Sequence, residues 1–373
     1  MSPRGARRAA GSSVRIVYGV QSTGKGHLSR FLGLLPLFQR DGHELLVLVT
    51  GRWNPPDYFL DALAGTRFRR FPGLPMVADG VGGISKRGTV KAFATRLPGL
   101  FNSFRKAHRW ISAFDPDLIV SDFDPVSGSP FVAPSVFKVG IGNYFTPARP
   151  GIEHPPGLRR DWFNVRVVEK LLTSGLDARI GCHFYPLDDE CLPPILRPET
   201  LALEPDNRGH LVVYHAFPGL LPPVLAYAER HPGTPIILYG YETRPRGLPR
   251  NVRLEKDADR FLRDLASCEA FVGTAGFQSV AEAFYFGKKI VVQPIEGHYE
   301  QKWNATQLEL HGMGRCCHGD LEADLGQPFN RALHERLVPW YRSGAETHYE
   351  RILSYAPHHE ETNDSAPYSA SPS

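Results

Sequence analysis

Gly24-Lys25-Gly26-His27 is the first place along this chain where residue types and spacing point to chemistry. The run follows a short apolar segment and opens a helical one, so His27 falls at a helix start. A neutral imidazole, with an ordinary pKa of about 6.5, is the side chain best matched to taking a proton from a hydroxyl near neutral pH. Asp122 closes a later apolar segment, Asp117-Leu-Ile-Val-Ser-Asp122. In a parallel sheet the two residues share one edge. A carboxylate on the far ring nitrogen would fix the histidine tautomer and stabilise its cation. The same spacing also fits a histidine that only donates to a substrate hydroxyl or phosphate. Asp124, two residues on, reads either as a substitute partner or as a turn residue before Pro125.

A second constellation lies in Gly273-Thr274-Ala275-Gly276-Phe277-Gln278-Ser279-Val-Ala-Glu282. A strand ends at Gly273, a turn of small residues follows, and a helix begins near Gln278. Such a helix start offers unpaired amides and the positive end of a dipole to an anion. Gly276 lets backbone approach phosphate oxygens, Gln278 and Ser279 add uncharged donors, and Glu282 could grip vicinal ribose hydroxyls. Ser279 and Glu282 also fit simple capping. Beyond Gly287 and the apolar run Lys288-Lys-Ile-Val-Val-Gln-Pro294 come Glu300 and Gln301. An acid beside an amide accepts and donates together, as a polyol requires.

Two rival readings use the same residues. Gly19 to Lys25 fits the G-x-x-x-x-G-K of a phosphate-binding loop, but Gly26 stands where that loop needs Ser or Thr for magnesium. The pair Asp122 and Asp124 resembles the Asp-x-Asp of metal-using sugar transferases, a class without the second-half pattern.

These residues need a scaffold, and the chain supplies a repeating one. Short Val, Ile and Leu runs alternate with amphipathic stretches, the pattern of βα units on a parallel sheet. Strands are predicted at Val14–Gly19, Leu45–Thr50, Leu118–Ser121 and Val136–Ile141, then at His210–Tyr214, Pro235–Tyr239, Val252–Leu254, Ala270–Gly273 and Ile290–Gln293. The proline-rich stretch Pro186 to Asn207 separates the two series. At 373 residues the chain suits two domains of roughly 100–200 residues each. The expected division is a disordered arm over 1–13, an acceptor-binding α/β domain over 14–207 and a donor-binding one over 208–340. A terminal helix over 341–356 is expected to pack back on the first domain, and a tail over 357–373 to be disordered. Ligands of such open sheets lie outside the carboxyl ends of the strands, so a cleft between two facing sheets is the expected site.

Taken together, the segment Gly273–Glu282, the pair Glu300-Gln301 with Asn304, and the loop Gly24–His27 resemble the GT-B glycosyltransferases. That group includes the peptidoglycan N-acetylglucosaminyltransferase MurG, plant galactolipid synthases and small-molecule UDP-glycosyltransferases. The resemblance implies two tandem Rossmann-like domains and a nucleotide-sugar donor, with UDP first. It implies that Gly276, Gln278 and Ser279 hold the diphosphate, that Glu282 holds the ribose and that Glu300 and Gln301 hold the sugar, and Gly26, Thr274 and Ala275 are also expected to be donor-binding. It further implies that the base is read around Ala258 and that His27 with Asp122 is the activating pair. Thr274 and Ala275 depart from the usual residues before Gly276, and the first loop lacks MurG's second adjacent glycine. The expected reaction is a metal-independent, inverting transfer without a cofactor. A nucleotide-sugar 2-epimerase of the same fold is the nearest alternative, and a P-loop-like NTPase the more distant one.

The acceptor is less legible. Lys86 to Trp110 interleaves basic residues with Phe93, Leu97, Leu100, Phe101 and Phe104, which suits an anionic membrane surface and equally a helix covering the core. A lipid or a small aglycone is therefore expected. The formal charge of +4 gives no reason to expect nucleic acid. Five cysteines without C-x-x-C spacing indicate neither a disulfide framework nor zinc, and a cytoplasmic setting is expected.

Overall fold

The computed structural model describes residues 13–22, 24–51, 55–73, 86–152, 154, 157–214, 218–241 and 243–357. Most of the expected terminal arm and tail lies outside them, although Ser13 is tied to the carbonyl of Gly42.

Six parallel strands form the first sheet: β1 (Arg15–Gln21), β2 (Glu44–Gly51), β3 (Arg67–Pro72), β4 (Leu118–Asp122), β5 (Lys138–Gly142) and β6 (Ala178–Gly181), in the order β3-β2-β1-β4-β5-β6. The second sheet repeats the plan with β7 (Leu211–Tyr214), β8 (Ile236–Tyr239), β9 (Val252–Leu254), β10 (Ala270–Gly273), β11 (Lys289–Val292) and β12 (Arg315–Cys316), in the order β12-β11-β10-β7-β8-β9. Each sheet reverses its winding where its first strand meets its fourth, and a crevice opens at the carboxyl ends there. Asp122 ends β4 and Gly273 ends β10, so both constellations sit at these crevices.

Most of the legible strands are buried on both faces and read as unbroken apolar runs, the exception being β9, an edge strand with Arg253 exposed. β3, β6 and β12 were not foreseen. All three are edge strands, with arginines at positions 67, 69, 70, 179 and 315 that keep an open edge in water.

The helices are α1 (Lys25–Arg40), α2 (Asp57–Ala62), α3 (Lys86–Phe114), α4 (Arg159–Leu172) and α5 (Pro198–Ala202) in the first half. The second half carries α6 (Leu221–Arg230), α7 (Ala258–Ser267), α8 (Phe277–Tyr285), α9 (Tyr299–Leu310), α10 (Leu321–Leu325), α11 (Arg331–Arg342) and α12 (Gly344–Leu353). Leu28, Phe31, Leu34, Leu35 and Phe38 give α1 one buried face, which anchors the helix whose first turn carries His27. In α3, Leu100, Ser103, Ala107, Ile111 and Phe114 recur at helical spacing and pack on the sheet.

The stretch between the two series is packed rather than loose. A side chain at Gly33 would press into Ile195, and one at Gly344 would collide with the carbonyl of Pro194. His348 bonds the carbonyl of Pro193 at 3.0 Å, and Tyr341 donates to the carbonyl of Phe184 at 2.8 Å. The terminal segment is two helices broken at Ser343. The second, α12, lies on α1, where Glu346 meets Arg40 and Tyr349 meets Asp41.

Candidate active site

The first turn of α1 brings His27 over the end of β4, and its Nδ1 lies 2.7 Å from Asp122 Oδ1. Asp122 is fully buried and His27 is 15% exposed, so the ring has one face in protein and one open. An ionised carboxylate only accepts, so Nδ1 carries the hydrogen and Nε2 keeps its lone pair. Arg30, one turn further along α1 and 3% exposed, grips the same Asp122 oxygen. Among the described residues the other oxygen takes the Tyr18 hydroxyl, at 3.4 Å. Burial, and the Asp122 charge after it, hold the Tyr18 phenol well above its ordinary range, so that phenol stays protonated.

Asp124 is not a second partner for His27. Its carboxylate accepts from the amides of Ser127 at 2.7 Å and Val126 at 3.3 Å and from the Thr50 hydroxyl, and burial raises its pKa. It builds the turn after Pro125, and this turn fills the space beside Gly19, where any side chain would strike the Ser127 hydroxyl. The intervening Phe123 is held at a φ of 50°, an unfavourable conformation for a bulky residue, and its ring stacks on Tyr144 at 4.5 Å. Both carboxylates of the Asp-x-Asp run are thus occupied within the protein. Gly19 to Gln21 are strand residues paired with β2, so the wrapping loop that the phosphate-loop reading needs does not begin at Gly19.

Across the cleft, α8 starts at Gly276 with no side-chain cap. A Cβ on Gly26 would sit 3.5 Å from the Cβ of Gln278, so the starts of α1 and α8 face each other. Gly276 has an ordinary φ of −68°, and a Cβ there would meet nothing closer than 3.7 Å. Neither backbone nor packing demands glycine, and the space is open to a ligand. Ser279 Oγ leans on the carbonyl of Gly276 at 3.4 Å, Thr274 lies beside it, and Asn304 fixes the carbonyl of Ala275 at 3.0 Å. The acceptor oxygens of Gln278, Gln293 and Asn304 are buried without a hydrogen-bond partner. Such groups are costly unless a ligand supplies donors.

The remaining sequence-derived residues have protein partners. Glu282 is buried and accepts from Gln278 at 3.1 Å, Thr200 at 3.4 Å and Arg197 at 3.5 Å, the last two from the connecting stretch. The Gln301 side-chain oxygen takes the amide of Ile295 at 2.9 Å. Glu300 reaches the first half, where Asn143 donates to it at 2.7 Å and the Tyr144 phenol bonds it. Ala258 begins α7. A cavity lined by Phe145, Arg149, Arg166, Arg179 and Arg351 opens beside β6 and contains none of these residues.

Arg30, Tyr18, Asn143 and Tyr144 were not foreseen as part of the site. Arg30 lies one helical turn beyond His27, a spacing that signals a shared face. Asn143 follows a strand of the same sheet by one residue, the position where such sheets place functional groups.

Comparison with known proteins bears on this geometry. The family model described as Glycosyl transferase family 1 matches residues 14–333. An uncharacterized glycosyltransferase of Methanosarcina acetivorans is 36% identical over 69 residues, which is 18% of this chain and 18% of that protein. The chain therefore spans less than a fifth of that curated relative. Among solved structures, Arabidopsis thaliana UGT89C1 in complex with UDP-L-rhamnose superposes with a TM-score of 0.65 at 14% identity, covering 93% of this chain and 100% of that one. The calicheamicin glycosyltransferase CalG4 superposes with a TM-score of 0.61 at 17% identity over 92% and 98% of the two chains. At such identity these likenesses establish the GT-B fold of two Rossmann-like halves.

Proposed function

This chain belongs to glycosyl transferase family 1, and from that premise we propose that it moves a hexose-type sugar from a nucleotide-diphosphate donor, UDP first, to an acceptor hydroxyl. The transfer inverts the anomeric carbon and needs no metal. The observation that carries this reading is His27, its Nδ1 fixed on buried Asp122 and its Nε2 left to accept a proton, opposite the uncapped start of α8.

In the proposed step Nε2 takes the acceptor's hydroxyl proton as the oxygen attacks the anomeric carbon. The bond from that carbon to the phosphate oxygen breaks on the opposite side, so one displacement inverts the centre. The departing diphosphate gains charge where the α8 amides and dipole lie. Asp122 supports the imidazolium that forms. Glu282 on the ribose, Glu300 and Gln301 on the sugar, and the α7 start at Ala258 on the base complete the donor site, whose unpaired acceptor oxygens suit a hydroxyl-rich ligand. A 2-epimerase would act on the donor alone and has no use for a base poised toward a separate hydroxyl. UGT89C1 has been captured with UDP-L-rhamnose and with quercetin, which favours a UDP donor and a small aglycone here.

A thermal-shift panel of UDP-, dTDP- and GDP-sugars against ATP with magnesium tests the donor. A UDP-sugar at 100 times its Kd is expected to stabilise the fold by about 2.7 kcal/mol. Stabilisation by ATP with magnesium alone would sink the reading.

A lipid acceptor is the second reading. Phe101 and Phe131 are 58% and 68% exposed, joined through Phe104, beside exposed Arg105, Lys106 and Arg109. Aromatic side chains next to basic ones suit an acidic bilayer surface. The side chains of residues 86–94 and 96–98 lie outside the described residues, and among the described residues no helix is long and apolar enough to cross a membrane. Co-sedimentation with phosphatidylserine vesicles, lost when Phe101 and Phe131 become serine, is the expected result. Absence of binding by the wild type removes the lipid reading.

A further inference from the structure

Asn143 joins Arg30, whose guanidinium grips Asp122, to Glu300, the sugar-side acid of the second half. It is 3% exposed. Its side-chain oxygen accepts from Arg30 at 3.3 Å, and its amide nitrogen donates to Glu300 Oε1 at 2.7 Å. The orientation is set by chemistry: a guanidinium only donates and a carboxylate only accepts, so oxygen faces Arg30 and nitrogen faces Glu300. The chain runs unbroken from His27 through Asp122, Arg30 and Asn143 to Glu300. Gly142, at a φ of 151°, makes the turn that aims Asn143 inward, and a Cβ there would press on the Arg30 guanidinium at 3.4 Å.

We propose that Asn143 is a positioning residue that sets Glu300 against the donor sugar and in register with His27, so that sugar recognition in the second half depends on a side chain of the first. This rests on the donor-site reading above. A carboxylate has more acceptor sites than Asn143 and Tyr144 use, and sugar hydroxyls would donate to the others. Aspartate at 143 keeps the acceptor toward Arg30 but turns a repelling oxygen on Glu300. Leucine satisfies neither neighbour. The nucleoside diphosphate makes no use of Glu300, so only the sugar increment of binding should depend on Asn143.

Calorimetric titration with UDP-glucose and with UDP separates the two. Asn143→Ala and Asn143→Asp are each expected to weaken UDP-glucose about tenfold, the effect of about 1.4 kcal/mol, while leaving the affinity for UDP unchanged. In the cycle with Glu300→Ala, the double variant is expected to bind UDP-glucose no more weakly than Glu300→Ala alone. Unchanged UDP-glucose affinity in both Asn143 variants, equal losses for UDP and UDP-glucose, or additive losses in the cycle would each overturn the assignment of Asn143 while leaving the donor site standing. A wild type that binds neither probe overturns the donor-site reading and this one with it.

Discussion

Replacing His27 with alanine is expected to lower kcat by about 10²- to 10⁴-fold, the usual contribution of a positioned general base, with little change in affinity for the donor. Alanine leaves the apolar core residues of α1, Leu28, Phe31 and Leu35 among them, in place and removes only a ring that is itself partly exposed. The loss should therefore appear in turnover and not in the denaturation midpoint. Asp122→Asn should also lower kcat, since Arg30 keeps the amide oxygen toward Nδ1 but the neutral amide no longer stabilises the imidazolium that forms. Steady-state kinetics with an identified acceptor decides the matter. If His27→Ala turns over at the wild-type rate, His27 is not the base, whatever the fate of the donor site.

The largest expected loss of stability comes from Arg30→Met. Methionine approximates the length of the arginine stem but leaves the Asp122 carboxylate, fully buried, with only His27 and a long contact to Tyr18. Removing one partner of a buried ion pair typically costs about 3–5 kcal/mol, because the remaining charge is neither solvated nor neutralised. Chemical denaturation is the measurement. The double variant Arg30→Met with Asp122→Asn should recover much of the loss, since no charge is then left buried alone. A single variant within about 0.5 kcal/mol of wild type, the scatter of ordinary surface substitutions, would mean that the pair contributes little to the fold.

The parts of this molecule legible in its sequence are those where one physical rule dominates. Val-Ile-Leu runs gave the central strands because both their faces are buried. His27 and Asp122 could be paired across 95 positions because parallel strands deliver their carboxyl ends to one edge. The edge strand β3 was missed because Arg67 to Pro72 carries the polar residues an edge requires and so lacks the apolar signal, whereas the edge strand β9 was found from Val252 and Leu254. Asn143 was missed because a single amide has no spacing to betray it, and its role follows only from two neighbours 113 and 157 positions away. Glu282 was legible as a helix residue near the small-residue turn at Gly276, but not its bonds to Arg197 and Thr200, which depend on how the connecting stretch folds back.

That stretch and the paired helices α11 and α12 have a mechanical consequence. The chain passes between its halves twice, once outward near Pro193–Arg197 and once on the return through Tyr341–Gly344, and the two passages touch each other. Two covalent tethers side by side leave a pair of bodies little freedom to twist or slide. They can swing about the line joining the tethers, as a door does on two hinges. The starts of α1 and α8 lie close to that line, because Gln278 donates to the carbonyl of Ile195 in the outward tether at 3.2 Å, so a swing would widen the far side of the cleft more than the gap at His27.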